Sequence, residues 1–209
     1  MSDEIKKGLV GVISDETKVS EVMPEINSLT YRGYAVQELC AKCNFEQVAY
    51  LLLHGELPNP DELKAFEKYE RTNRNISDTL KNIIKNYPNN AHPMDTTRTT
   101  VSHMGLEDPD TEDNSPESNM RKSMRLLAQI STAVAANFRI RKGQEIINPD
   151  LSLSFSENFF HMSFGKVPSP EVVKAFDVSM ILYAEHSFNA STFTSRVITS
   201  SLSDMHGAV

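Results

Sequence analysis

From Tyr34 onward the apolar residues recur at alternating steps of three and four, and helix start and stop signals punctuate that pattern. Such a period commits the chain to helices packed on helices. Asn44, with Gln47 three residues on, reads as a capping box; Val48, Leu51 and Leu52 share the face behind it, and Gly55 with Pro58 closes the element. Asp61 is the expected cap of the next helix, with Leu63, Phe66 and Tyr69 inward. Ser77 is the cap of a third, with Leu80, Ile83, Ile84 and Tyr87 inside and Pro88 as the stop. Pro93 suits the first position of a fourth, whose inner face is Met94, Thr97, Val101 and Met104. Met120, Met124, Leu127, Ser131, Val134 and Phe138 predict a long buried helix running to about Arg141, with Gly143 beyond it. A shorter helix is expected over 156–164, ended by Gly165. Ser169 and Pro170 then open one with Val172, Val173, Phe176, Met180 and Tyr183 inward. A last helix after Asn189 carries Phe193, Val197, Leu202 and Met205 inward, and at Ala208-Val209 it reads as cut rather than completed.

Two stretches depart from this period. Leu9 to Ile13 and Ser28 to Arg32, the latter ended by Gly33, are short apolar runs suited to a small antiparallel ribbon. Leu106 to Ser118 holds six acids and no base, which reads as a solvated, mobile loop. The expected class is therefore all-α, multihelical, with a β edge: at least seven helices against two strands.

A chain of 209 residues suits one large domain or two small ones. With 28 acidic against 21 basic residues its net charge is −7, which argues against a nucleic-acid module held by phosphate contacts. No apolar run approaches the ~20 residues of a membrane helix, and Met1 to Lys7 lacks the apolar stretch of a secretory signal, so a cytoplasmic location is expected. Cys40 and Cys43 have no second pair at metal-ligand spacing and read as reduced, partly buried thiols. The common glycine-rich phosphate loops, zinc-protease motif and nucleophile elbow do not occur.

Six histidines remain. His54 and His92 lie at helix ends and suit structural bonds there; His103 and His161 lack partners at ligand spacing, and His206 carries no signal of its own. His186 differs, because it follows an acid, interrupts an amphipathic helix and meets the first turn of the next helix at Asn189. Backbone N–H groups at such a turn, with an imidazole and an amide, form a carboxylate-binding corner. A core histidine satisfied by its neighbours is the competing reading.

The run Leu182-Tyr-Ala-Glu-His-Ser-Phe-Asn-Ala-Ser-Thr-Phe-Thr-Ser-Arg-Val197 resembles the Glu-His-x-x-Asn-Ala-Ser-Thr-Phe segment of the citrate synthase family. It is most similar to the bacterial citrate and 2-methylcitrate synthases. Four further blocks agree in order: Ser28 to Tyr34, Phe45 to Pro58, His92 to Asp95 with Arg98, and Phe155 to Met162. The resemblance implies a helical homodimer with a large and a small domain. Such an enzyme condenses oxaloacetate with an acyl-coenzyme A and hydrolyses the product thioester, using no metal and no cofactor beyond that co-substrate. It also implies that His186 binds oxaloacetate with Asn189 beside it. Arg71, in Tyr69-Glu-Arg, is a further substrate-contact candidate, against the competing reading of a solvated helix arginine.

The family's Gly-Pro-x-His-Gly-Gly-Ala-Asn segment, which carries its catalytic histidine, does not occur in these 209 residues. That histidine, the catalytic aspartate, the substrate arginines and the coenzyme A contacts are expected on polypeptide absent from this sequence. Residues 1–209 are accordingly expected to be the N-terminal part of the large domain, inactive alone and with no catalytic residue of their own. The likeness of Tyr31 to Tyr34 and of Glu185 to Val197 leans toward the 2-methylcitrate branch. A non-catalytic helical interaction module keeping the same scaffold is the alternative from another class.

Overall fold

In the computed structural model, which describes residues 11–13 and 15–209, a three-stranded antiparallel sheet precedes the helices. A 3-10 turn over Pro24–Ile26, with Asn27 at φ 48°, folds β1 (Ser20–Met23) back on β2 (Ser28–Tyr31) so that Ser20 faces Tyr31 and Met23 faces Ser28. A second reversal at Arg32 and Gly33, both at positive φ, adds β3 (Tyr34–Ala35). The ribbon expected at Ser28 thus forms, but its partner is Ser20–Met23. Leu9 and Val10 of the expected partner lie outside the described residues, and Gly11 to Ile13 form no strand. The true partner carried no period-two signal, because Val22 on it stays largely exposed.

Ten helices follow among the described residues: α1 (Val36–Lys42), α2 (Phe45–His54), α3 (Pro60–Thr72), α4 (Asp78–Lys85), α5 (Pro93–Glu107), α6 (Pro116–Arg141), α7 (Phe155–Phe164), α8 (Pro170–Tyr183), α9 (Ala190–Thr199) and α10 (Met205–Ala208). Local chemistry sets most of their ends. Asn44 and Gln47 close the expected capping box on α2, and Gly55 at φ 96° ends it. On α3 the cap is Asn59 rather than Asp61: Pro60 occupies the first position, and the Asn59 side chain accepts the N–H groups of Asp61 and Glu62. Ser154 with Glu157 boxes the start of α7.

Helix α6 is the axis of the molecule because it is buried on two sides. Met124, with Met120 and Leu127 beside it, joins a core made with Tyr31, Val48, Leu51 and Ile181, whereas Leu126, Ala133 and Ala136 join a second core with Leu80, Ile84 and Val101. The sequence stripe marks only the first of these faces; the alanines of the second give little periodic signal. Helix α5 buries Val101 and Met104 as expected, but Thr96 and Thr100 turn inward with them while Met94 stays exposed. The hydroxyls are satisfied there: Asn137 donates to Thr96 at 2.6 Å, and Thr100 lies 3.1 Å from the Tyr87 hydroxyl.

Of Leu106 to Ser118, expected as a mobile loop, the ends belong to α5 and α6, and residues 108–115 between them are fastened to α6. Arg125 bridges Asp108 and Asp110 at 2.7 Å each, Arg121 adds 2.9 Å to Asp110, and the fully buried Lys122 donates to the carbonyls of Thr111 and Asp113. The arginines hold the Asp110 carboxyl well below the usual carboxylate range. The acids were read without their partners, which lie a helix turn or more beyond them.

Buried carboxylates also tie helix starts together. Glu46 of α2 accepts the Phe155 N–H at the start of α7 (2.8 Å), and Asp177 of α8 accepts the Phe45 N–H at the start of α2 (3.2 Å) and the Ser156 hydroxyl (2.9 Å). This is why α8 buries Asp177, while Tyr183 and Val172 of its expected apolar face are exposed. Burial, opposed by the Phe155 N–H and reinforced by Asp177 and Glu70, raises the Glu46 carboxyl above its ordinary 4.5. A raised carboxyl contributes stability that is complete below about pH 4.5 and is lost as pH climbs through its folded value. Glu46→Gln, a neutral mimic of the protonated form, is expected to raise the melting temperature at neutral pH and to flatten its fall as pH climbs above about 4.5. A steeper fall in the variant would contradict this assignment.

Candidate functional site

Helix α8 ends at Tyr183, and a six-residue bend leads to α9. Ser187, at φ 72°, takes a left-handed conformation that costs a non-glycine residue about 1–2 kcal/mol and stops the helix from continuing. Asn189 is extended, and its side chain accepts the Thr192 N–H at 2.8 Å, which makes it the N-cap of α9. The N–H groups of Ala190 and Ser191 have no acceptor among the described residues and sit at the positive end of that helix. His186 lies exposed in the bend, and its ring makes no hydrogen bond among the described residues. The core-histidine reading therefore does not hold.

The sheet supports this bend from below. Tyr31, at 0% exposure, donates its hydroxyl to the Ile181 carbonyl at 2.8 Å and accepts the Glu185 N–H at 3.4 Å. Burial pushes the Tyr31 phenol up to about 12, so it stays a donor throughout the physiological range. The Glu185 carboxylate accepts the Ser20 hydroxyl at 3.1 Å and the Ser187 N–H. Across the bend the Arg196 guanidinium lies 4.6 Å from the Phe188 ring centroid and pairs with Asp15. None of these four supports, Ser20, Tyr31, Glu185 and Arg196, could be assigned from sequence, because each acts on residues that are distant or on a bend whose course was unknown. The sole hint was the acid preceding His186.

Beside the bend opens an apolar groove of about 500 Å³, with Leu52, Leu53, Leu127, Met180 and Tyr183 in its walls and Glu185 at its edge. Its chemistry suits a hydrocarbon surface, whereas the corner at His186 and the start of α9 suits one carboxylate. A second carboxylate needs another cation, and the Arg196 beside the bend is already paired.

Arg71 is placed apart. Its guanidinium pairs with Glu67 at 3.4 Å on α3, which packs on α2 and α6, and neither carries His186 or Asn189. His54 stacks on Tyr50 at 4.1 Å instead of meeting a carbonyl, His92 caps α5 through Nδ1, and His206 is buried 3.5 Å from Asp108. Helix α9 buries no residue, and α10 starts anew at Met205 after Leu202 turns to φ 66°, so the expected continuous last helix is broken in two. Leu202 is 85% exposed. Both cysteines are free and half-buried, and burial raises their thiols. Among the described residues no group of three or more His, Cys, Asp or Glu could hold a metal ion, and no helix is long and apolar enough to cross a membrane.

Residues 8–209 match the family described as citrate synthase, C-terminal domain. The citrate synthase of Mycolicibacterium smegmatis is 52% identical over 205 residues, covering 98% of this chain and 54% of that protein. The 2-methylcitrate synthase of Mycobacterium tuberculosis is 51% identical over 206 residues, covering 99% and 52%. Among solved structures, the Thermoplasma acidophilum citrate synthase, in ternary complex with carboxymethyl coenzyme A and oxaloacetate, superposes with a TM-score of 0.93 at 26% identity, covering 98% of this chain and 54% of that one. The chain thus spans about half the length of the relatives it matches.

Proposed function

Because the chain belongs to the citrate synthase family, we propose that it carries the oxaloacetate-anchoring corner of an enzyme that condenses oxaloacetate with acetyl- or propionyl-coenzyme A to citrate or 2-methylcitrate. The observation that supports this reading is the exposed His186 ring, unpaired among the described residues, in the bend that leads to two N–H groups of α9 without an acceptor among them. The N–H groups and the dipole of α9 would receive a carboxylate, while the imidazole, donating to the keto oxygen, would draw charge from the carbon under attack. The enol that attacks it forms when a base removes the α-proton of the acyl thioester. None of the described residues is assigned that base, so the pure chain is expected to turn over no substrate. Residues 1–209 would then be the N-terminal part of the large domain, working in the cytoplasm in a homodimer whose other groups make the bonds. Relatives of both names stand within one per cent in identity, which leaves the acyl group open.

The proposal rests on His186 and Asn189 and not on Arg71, whose charge is already paired with Glu67. Oxaloacetate at ten times its Kd would stabilise the chain by about 1.4 kcal/mol, a rise of about 3–5 °C in melting temperature. His186→Ala is expected to abolish that rise and Arg71→Ala to leave it intact. No shift at millimolar oxaloacetate would favour the alternative, a helical interaction module, for which the open apolar groove speaks.

A further inference from the structure

We infer that Tyr31 and Glu185 are positioning residues that set the bend carrying His186, and this rests on the reading of His186 as the carboxylate-binding group. The starting point is Ser187 at φ 72°, a conformation that a serine does not keep unless its surroundings impose it. Two strands of the sheet do so from one place. Ser20 and Tyr31 are direct partners in the β1–β2 register, so a single cross-strand pair presents two hydroxyls to the bend. The Tyr31 hydroxyl holds both sides of the helix end, donating to the Ile181 carbonyl at 2.8 Å and accepting the Glu185 N–H at 3.4 Å. The Ser20 hydroxyl holds the Glu185 carboxylate at 3.1 Å, and that carboxylate in turn accepts the Ser187 N–H. The chain of contacts therefore runs from the sheet through Glu185 to the strained residue that follows His186. Helix α9 itself buries nothing, and Arg196 on Phe188 holds the bend from the α9 side, so the tie through Glu185 is what fixes the bend to the sheet.

The test uses the whole chain and two readouts. Amide hydrogen exchange over residues 185–189 reads the bend directly, and the oxaloacetate-induced melting shift reads the site. Tyr31→Phe keeps the buried ring and removes the hydroxyl; Glu185→Ala removes the carboxylate at a half-buried position outside both cores. Each is expected to speed exchange in the bend about tenfold or more, with α6 unchanged, and to reduce the oxaloacetate shift. Glu185→Gln, which keeps an oxygen acceptor for the Ser187 N–H, is expected to restore slow exchange. Unchanged exchange in both variants would overturn the inference, as would acceleration spread equally over α6, which would make Tyr31 a core residue only. Fast bend exchange in the variants, in a wild-type chain that shows no oxaloacetate shift, would support the positioning role and defeat the carboxylate reading of His186.

Discussion

Arg74→Met is expected to destabilise the chain by about 3–5 kcal/mol, the cost of leaving one member of a buried ion pair alone. Arg74 is 0% exposed; its Nε and one terminal nitrogen grip Glu70 at 2.8 and 2.6 Å, and the other terminal nitrogen donates to the carbonyls of Asp150 and Leu153 at 3.1 and 2.9 Å. One guanidinium thus fastens the end of α3 to the segment that leads into α7. Methionine fills much of the volume but strands a carboxylate at 1% exposure and two carbonyls without donors. Glu70→Leu added to Arg74→Met is expected to recover part of the loss, because the charge goes but the carbonyls stay unpaired. Urea unfolding followed by circular dichroism at 222 nm reads both. A single-variant loss below about 1 kcal/mol would show that the pair is hydrated in solution.

Asp177→Ala comes next, at about 2–4 kcal/mol. Its carboxylate receives the first N–H of α2 and the hydroxyl of Ser156, so the substitution uncaps one helix and leaves a buried donor on another without a partner. Asp177→Asn keeps an acceptor oxygen and should lose less than half as much. Equal losses in the two variants would mean that volume, and not the hydrogen bonds, is what the site requires.

These charged ties show where sequence reading stops. Helix ends were legible at Asn44, Ser77, Pro93, Pro170, Gly55 and Gly165, because a cap acts within four residues and its chemistry is local. The faces were less legible. Asp177 and Glu46 look like solvent-facing residues until Phe45 and Phe155, more than a hundred residues from their acceptors, bring their N–H groups to them. Asp108 and Asp110 looked like a mobile loop until Arg121 and Arg125 closed over them. In α9 the error ran the other way: Phe193 and Val197 have the spacing of an inner face, yet no residue of that helix is buried. At the candidate site, the break at His186 and the cap at Asn189 were readable because both lie in one short motif. The support from Ser20 and Tyr31 was not, since it depends on a register set by the turn at Asn27.

The most direct measurement is a titration of the chain with oxaloacetate, followed by the imidazole resonances of His186 in ¹H–¹³C NMR spectra and assigned with His186→Asn. Saturable movement of the His186 ring signals, together with the amide signals of Ala190 and Ser191 and without movement of the His54 or His161 rings, is the predicted result. An unmoved His186 ring at saturating oxaloacetate, or movement confined to another histidine, would contradict the account.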